Sequence, residues 1–134
     1  MGGGKTVTDA VVVAGLGCRR GVALAAVLAI LRDAEAASGA RPTRLAIPDF
    51  KREEAAFAAA AAALGLPLCL IGENALAGAQ EETQTQSDAA RRATGFAAIA
   101  EAAALAALAP GARLILPRIT GAGVTCALAE GVPR

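Results

Sequence analysis

The sequence predicts an α/β protein: a three-layer α/β/α sandwich with a mixed, mostly parallel sheet of about five strands and a C-terminal hairpin. Three observations carry that reading. Short apolar runs alternate with alanine- and leucine-rich segments of helical length. The first valine run passes through glycines straight into such a segment, the strand, turn and helix succession of a parallel unit. The last two apolar runs are separated only by T-G-A-G, which reads as a hairpin connection.

Taken in order, A-V-V-V-A (10–14) is bounded by Asp9 and Gly15 and has the pattern of a strand buried on both faces. Residues 21–38 turn to Ala and Leu and end at Gly39, a helix closed by a glycine. R-L-A-I-P (44–48) is a second strand. Asp49 then stands where it would cap a helix running through K-R-E-E and the alanine tract to Leu64, with Gly65 as its stop. The high helix propensity of alanine supports that element. Residues 66–71 form a third strand with Pro67 at its beginning, where a missing amide is tolerated. Residues 73–79 read as a short helix, after which A-Q-E-E-T-Q-T-Q-S-D is polar and aperiodic. A mobile loop is therefore expected over 78–95, since loops of that length are mobile or functional. Residues 96–108 are helical up to Pro110-Gly111, and 113–119 with 124–129 make the hairpin. The length is that of a single domain, 1–134, with residues 1–8 expected to be a flexible N-terminus.

Composition excludes several classes of function. The 134 residues hold 13 Lys and Arg against 12 Asp and Glu, with no long basic run, so a nucleic-acid partner is not expected. There is no His, Trp or Tyr, and Phe occurs three times. The usual neutral-pH base and the commonest zinc ligand are thus missing, and stacking on nucleic-acid bases is almost excluded. Cys18, Cys69 and Cys126 are widely spaced without C-x-x-C, which suggests neither a disulfide framework nor a metal knuckle. No metal site and no cofactor are expected, and reduced thiols fit a cytoplasmic location. M-G-G-G-K-T-V-T-D lacks the cationic start and apolar core of a secretory signal. The uncharged stretch 55–72 raises the question of a membrane. It is mostly alanine and is broken by G-L-P (65–67), so two elements joined by a turn are expected rather than a span.

In an open α/β sheet, anions bind where strands end and helices begin, because free main-chain amides and the helix dipole point there. G-L-G-C-R-R-G (15–21) occupies such a place. Its spacing, G-x-G-x-x-x-G, is one residue longer than the dinucleotide fingerprint; Arg20 takes the place of the third glycine, and Asp33 and Glu35 fall inside the helix. G-K-T (4–6) lacks the preceding strand and earlier glycine of a phosphate loop. An anion-receiving turn remains, in which Arg19 and Arg20 offer forked donors. The plainer alternative is a structural turn with solvated arginines. Cys18, at a helix entrance beside an arginine, has the surroundings that lower a thiol pKa; with no His as base, a small buried spacer is its other reading. In I-P-D-F-K-R-E-E (47–54), Lys51 and Glu54 are either a surface pair three apart on a helix, or Lys51 joins Arg19 at the strand ends. In A-T-G-F-A-A-I-A-E-A-A-A-L (93–105), Thr94 and Gly95 open a helix in which Glu101 is the lone charge, costly unless paired or exposed.

These segments, with V-T-C-A-L-A (124–129), occur in an order that resembles the CobE family, which is also the C-terminal domain of the CbiG proteins of cobalamin biosynthesis. They cover nearly the whole chain. The resemblance implies the same three-layer fold and a part in building the corrin ring. It also implies that the larger CbiG proteins open a lactone on a cobalt-containing tetrapyrrole and expel a two-carbon fragment, while CobE-like proteins stand alone in the oxygen-dependent route. With nothing before the domain that would make up the rest of a CbiG protein, the stand-alone form is expected. Position by position, the family's turn falls on Gly15, Gly17, Cys18, Arg19 and Gly21, its lysine and glutamate on Lys51 and Glu54, and its helix entrance on Thr94, Gly95 and Glu101. Where the family often has lysine before the final hairpin turn, this chain has Arg118, which keeps the charge but not a deprotonatable amine.

The function expected from residues and resemblance together is binding of a corrin or precorrin intermediate, as a carrier or as a factor assisting other cobalamin-pathway enzymes. Helix-terminal amides, Arg19 and Lys51 would hold its carboxylates, and the apolar edge of 78–95 would cover its ring. One alternative is a hydrolase that opens a lactone or ester, with Cys18 or a water activated by Glu101. Another is a small-anion or nucleotide module. A homo-oligomer is compatible with each.

Overall fold

A computed structural model of the protein describes residues 10–86 and 99–134. Its first strand, β1 (Val11–Cys18), is longer than the valine run predicts, because it continues through Gly15, Leu16 and Gly17. The extension is held by a partner distant in sequence. β1 pairs in parallel with β2 (Arg44–Pro48) only from Val13 to Gly15. With β5 (Val124–Gly131) it pairs antiparallel along its whole length, from Val11 opposite Gly131 to Cys18 opposite Val124. Glycine reads locally as a breaker, and this long ladder overrides it. The expected turn over 15–21 therefore shrinks to the residues after Cys18.

Helices α1 (Leu24–Ser38) and α2 (Ala55–Leu64) follow β1 and β2 and close at Gly39 and Gly65, as expected. α1 begins at Leu24 rather than at residue 21. The segment after β2 departs further from expectation. Asp49 does not cap a long helix; Asp49–Lys51 form a single 3-10 turn, and α2 begins only at Ala55. The Asp49 carboxylate instead takes the Arg52 guanidinium, both oxygens at 3.0 Å, and so is not available to the amides of a following turn. Strand β3 (Leu68–Ile71) comes next, then α3 (Glu73–Gln86). This helix corrects the loop expected from residue 78 onward, because it runs through the polar stretch to Gln86. Glu and Gln are good helix formers, and among the described side chains of its first part only Leu76 and Ala79 are buried, too few to give a clear apolar periodicity in the sequence. Residues 87–95 of the expected loop lie outside the described residues, as does the N-terminus through residue 9. α4 (Ile99–Ala106) falls within the predicted 96–108, and β4 (Arg113–Thr120) completes the hairpin with β5.

The sheet order is β3-β2-β1-β5-β4. β2 and β3 run parallel to β1; β5 opposes β1, and β4 opposes β5, so β5 alone points the other way. α1 and α2 cover one face, packing Ile30 and Phe57 against Leu16, Leu45 and Ile47. α3 and α4 cover the other, over Val13, Ala46 and Ala129. The three-layer α/β/α sandwich with a mixed, mostly parallel five-stranded sheet is thus as predicted.

The two glycines of G-L-G-C owe their place to α4. Alternate residues of β1 face the α4 layer, with Gly15 and Gly17 following Val13 on that side. A Cβ on Gly15 would run into the carbonyl oxygen of Ala100 and stand 2.6 Å from the amide nitrogen of Ala104. The helix backbone lies directly on the strand, and α4 is buried all round from Ala100 to Ala106. Small residues on both partners allow that approach.

Cys126 on β5 is fully buried in the first core, and burial pushes its thiol from 9.0 up to about 12. A raised folded-state pKa makes this contribution to stability whole below pH 9.0, and it is lost as pH rises toward 12. The loss runs at about 1.4 kcal/mol per pH unit in that window. Alkaline unfolding followed by circular dichroism is therefore expected to be steeper above pH 9.0 in the wild type than in Cys126→Ala.

Candidate functional site

Because β1, β2 and β4 run in the same direction, their carboxyl ends share one edge of the sheet, where ligands of open α/β sheets bind. The turn after β1, the Asp49–Lys51 turn after β2 and the β4-to-β5 hairpin turn meet there. Between them lies a cavity of about 500 Å³. β1 and the residue after it contribute Gly17, Cys18 and Arg19; the turn after β2 contributes Phe50 and Lys51. The hairpin contributes Thr120, Gly121, Gly123, Val124 and Thr125, and Ile99 closes the side toward α4.

The ladder places Arg19. Its N–H donates to the carbonyl of Gly123 at 2.8 Å, one step beyond the Cys18–Val124 pair. Its side chain lies over the hairpin turn, where a Cβ on Gly123 would meet Arg19 Cδ at 3.8 Å, and the residue is exposed. Gly21, with φ of 77°, makes the reversal toward α1 in the left-handed region that glycine tolerates. Its N–H donates to both carboxylate oxygens of Glu54, at 3.1 and 3.3 Å. Glu54 thus ties the Arg19-bearing turn to the Lys51-bearing turn. This corrects two expectations: the Gly21 amide is taken by the chain's own carboxylate, and Lys51 and Glu54 precede α2 rather than pairing on a helical face.

At Cys18 the electrostatics run against the activated-thiol alternative. Burial pushes its thiol up, Lys51 nearby pulls it down by less, and Glu54 pushes it up again. At neutral pH the side chain is a protonated, polarisable part of the cavity wall.

Glu101 lies elsewhere, on α4, only 3% exposed. Its Oε2 accepts the main-chain N–H of Arg118 at 3.1 Å, in the stretch of β4 where the pairing with β5 shifts between Leu116 and Ile119. That bond answers the cost of a lone carboxylate in an apolar helix. Gly15, Glu101 and Arg118 are not among the residues lining the cavity, and Thr94 and Gly95 lie outside the described residues. Of the sequence candidates, the fold brings Gly17, Cys18, Arg19 and Lys51 into one cavity, with Gly21 and Glu54 as the tie beneath them.

Sequence reasoning missed Phe50 and the hairpin turn as parts of the site. T-G-A-G reads as a connection only, and its place at the site follows once β4 is known to run parallel to β1. Two cations on otherwise largely apolar walls suit a ligand that combines anionic groups with an apolar body. Among the described residues, no group of three or more His, Cys, Asp and Glu side chains converges on a metal position. No helix of the described residues is long and apolar enough to cross a membrane.

Fold and site together define an α/β/α domain with a cationic, partly apolar cavity at the carboxyl edge of its sheet. The family model described as cobalamin synthesis G C-terminus matches residues 12–129, and the chain belongs to that family. Among solved structures it is similar to the cobalamin biosynthesis protein chiG from Agrobacterium tumefaciens str. C58, at 43% identity and a TM-score of 0.75, over 89% of this chain and 97% of that one. It is also similar to CobE, a protein from the cobalamin (vitamin B12) biosynthetic pathway, at 30% identity and a TM-score of 0.76, over 93% of each chain. The comparison with curated proteins gives no match. The family expected from the ordered motifs is therefore the family found, and it places the chain in cobalamin biosynthesis.

Proposed function

We propose that the protein binds a corrin or precorrin intermediate by its peripheral carboxylates, as a carrier or accessory factor in the cytoplasm. The observation that carries this reading is the convergence of Arg19 and Lys51 on one cavity whose other walls include Phe50, Ile99 and Val124. A tetrapyrrole of this class presents acetate and propionate groups around a flat apolar ring. Charge-assisted hydrogen bonds contribute about 1.5–3 kcal/mol each where they are sheltered, which gives the two cations the main part in affinity. A cavity of about 500 Å³ takes one edge of such a ring, leaving the rest to lie across Phe50. A protonated Cys18 and a Glu101 occupied by a main-chain amide both support binding over hydrolysis.

The test is a titration of the protein with a corrin polycarboxylate, read by visible absorbance and then by mass of the recovered ligand. A saturable spectral shift with unchanged mass is expected. Absence of a shift overturns the proposal, and loss of a two-carbon fragment replaces the carrier with a hydrolase.

A further inference from the structure

The two edges of the sheet are β4 and β3. β4 carries the devices that keep an edge from pairing with another chain: Pro117 within it, Arg113 and Arg118, and two shifts of register against β5. β3 carries none of them. Leu68–Ile71 reads L-C-L-I, without charge or internal proline, and stays in register with β2 over its whole length. Among the described residues, β2 is its only strand partner. Leu70 stands 47% exposed on this edge.

The pairing with β2 fixes which groups the other side of β3 offers. The N–H of Leu45 donates to the Pro67 carbonyl, and Leu45 is paired with Leu68 in a parallel ladder. Pro67, Cys69 and Ile71 therefore turn their main-chain groups toward β2, and Leu68 and Leu70 turn theirs outward. Pro67 removes no donor from the outer edge, since its nitrogen faces β2. Two N–H and two C=O groups on alternate residues form the pattern that an antiparallel strand satisfies. A second β3, related by a two-fold axis, satisfies all of them with Leu68 opposite the partner's Leu70. That register is centred on Cys69.

We infer that β3 is the dimerisation edge of this protein: a second copy of the chain pairs with it antiparallel, in this register, and joins the two sheets into one. The surroundings suit an identical partner. α2 packs against β3 and α1, so the same axis sets two α2 helices on one face of the joined sheet. α2 holds no charged residue, and its outward Ala58, Ala59, Ala62 and Ala63 are exposed, so no like charges on the two helices oppose each other. Leu70 packs on the partner's Leu68, which takes its exposed surface out of water. The two ends of the edge differ in charge: Glu73 follows β3, while Arg44 opens β2 beside Pro67. Antiparallel pairing brings the partner's Glu73 to the end where Arg44 stands, an attraction repeated by the axis.

Sedimentation velocity of the full chain, from low micromolar concentration upward, is expected to show a dimer. Leu70→Lys is expected to raise its dissociation constant about tenfold or more, because the change enters the interface twice and sets a charge opposite Leu68. The register has a signature of its own. Cys69 lies opposite the partner's Cys69 as a non-hydrogen-bonded pair, with Cα atoms about 4.5 Å apart, within reach of a disulfide. Diamide, which takes up the two electrons and two protons of the thiols, is expected to link Cys69 to the partner's Cys69 in the wild type and not in Leu70→Lys, as read by peptide mass mapping. Leu70 is not among the residues lining the corrin cavity, so Leu70→Lys is expected to titrate with a corrin polycarboxylate as the wild type does. A wild type that is monomeric at every concentration overturns the dimerisation edge. A dimer without the Cys69 link, or one that folded Leu70→Lys leaves intact, overturns it too and assigns the contact to another face. If Leu70→Lys loses its native circular dichroism, the wild-type link decides alone.

Discussion

Gly15→Val is expected to destabilise the fold by about 3 kcal/mol or more, the upper end of overpacking and a large part of a typical folding free energy. The reason lies in what the new side chain meets. A Cβ there would collide with the Ala100 carbonyl oxygen and lie 2.9 Å from the Ala104 Cβ, so either β1 or α4 must move as a whole. A flexible side chain could swing aside; two backbones cannot. At Gly17 the nearest atom to a Cβ is the Thr125 hydroxyl at 3.1 Å, and Gly17→Ala is expected to cost less. Urea unfolding of the two variants measures the difference. A Gly15→Val protein as stable as the wild type would remove α4 from the surface of β1, and with it the explanation of the glycine pair.

Arg19→Ala combined with Lys51→Ala is expected to weaken binding of a corrin polycarboxylate by roughly a hundredfold, about tenfold for each cation. The loss is smaller than for a fully buried charge pair, because Arg19 is exposed and Lys51 only half-buried. The single variants are expected to fall short of additivity if both cations hold one carboxylate. Binding is also expected to weaken with added salt, since exposed charges are screened over about 10 Å at 0.1 M ionic strength. Calorimetric or absorbance titration of the four proteins measures all of this. Unchanged affinity in the double variant would mean that the carboxylates are held elsewhere.

The parts of this molecule that depend on neighbouring residues were legible in the sequence. β2 at 44–48, the glycine stops at Gly39 and Gly65 and the hairpin of the last two strands follow from local pattern and turn chemistry. Where sequence reasoning departs from the structure, a distant contact decides. The β5 ladder carries β1 through two glycines, the Arg52 guanidinium takes Asp49 from its capping role, and the Gly21 amide draws Glu54 away from α2. The same holds at the site. Arg19 and Lys51 were identifiable as cations at strand ends, because their position depends only on which strand they follow. Phe50 and the T-G-A-G turn were not, because their place depends on the direction in which β4 joins the sheet. The raised thiol of Cys18 was hidden for the same reason: the burial and Glu54 carboxylate that raise it come from other elements.

The central claim, that the cavity beside Cys18 receives the corrin, is tested most directly by alkylation of the cysteines at mildly alkaline pH, with and without a saturating corrin polycarboxylate. Cys18 lines the cavity, whereas Cys69, also half-buried, sits on β3 among the residues of the opposite core. Peptide mass mapping is expected to show Cys18 protected in proportion to saturation and Cys69 alkylated at its free rate. Alkylation of Cys18 at an unchanged rate in protein saturated with the corrin would contradict the assignment of the site.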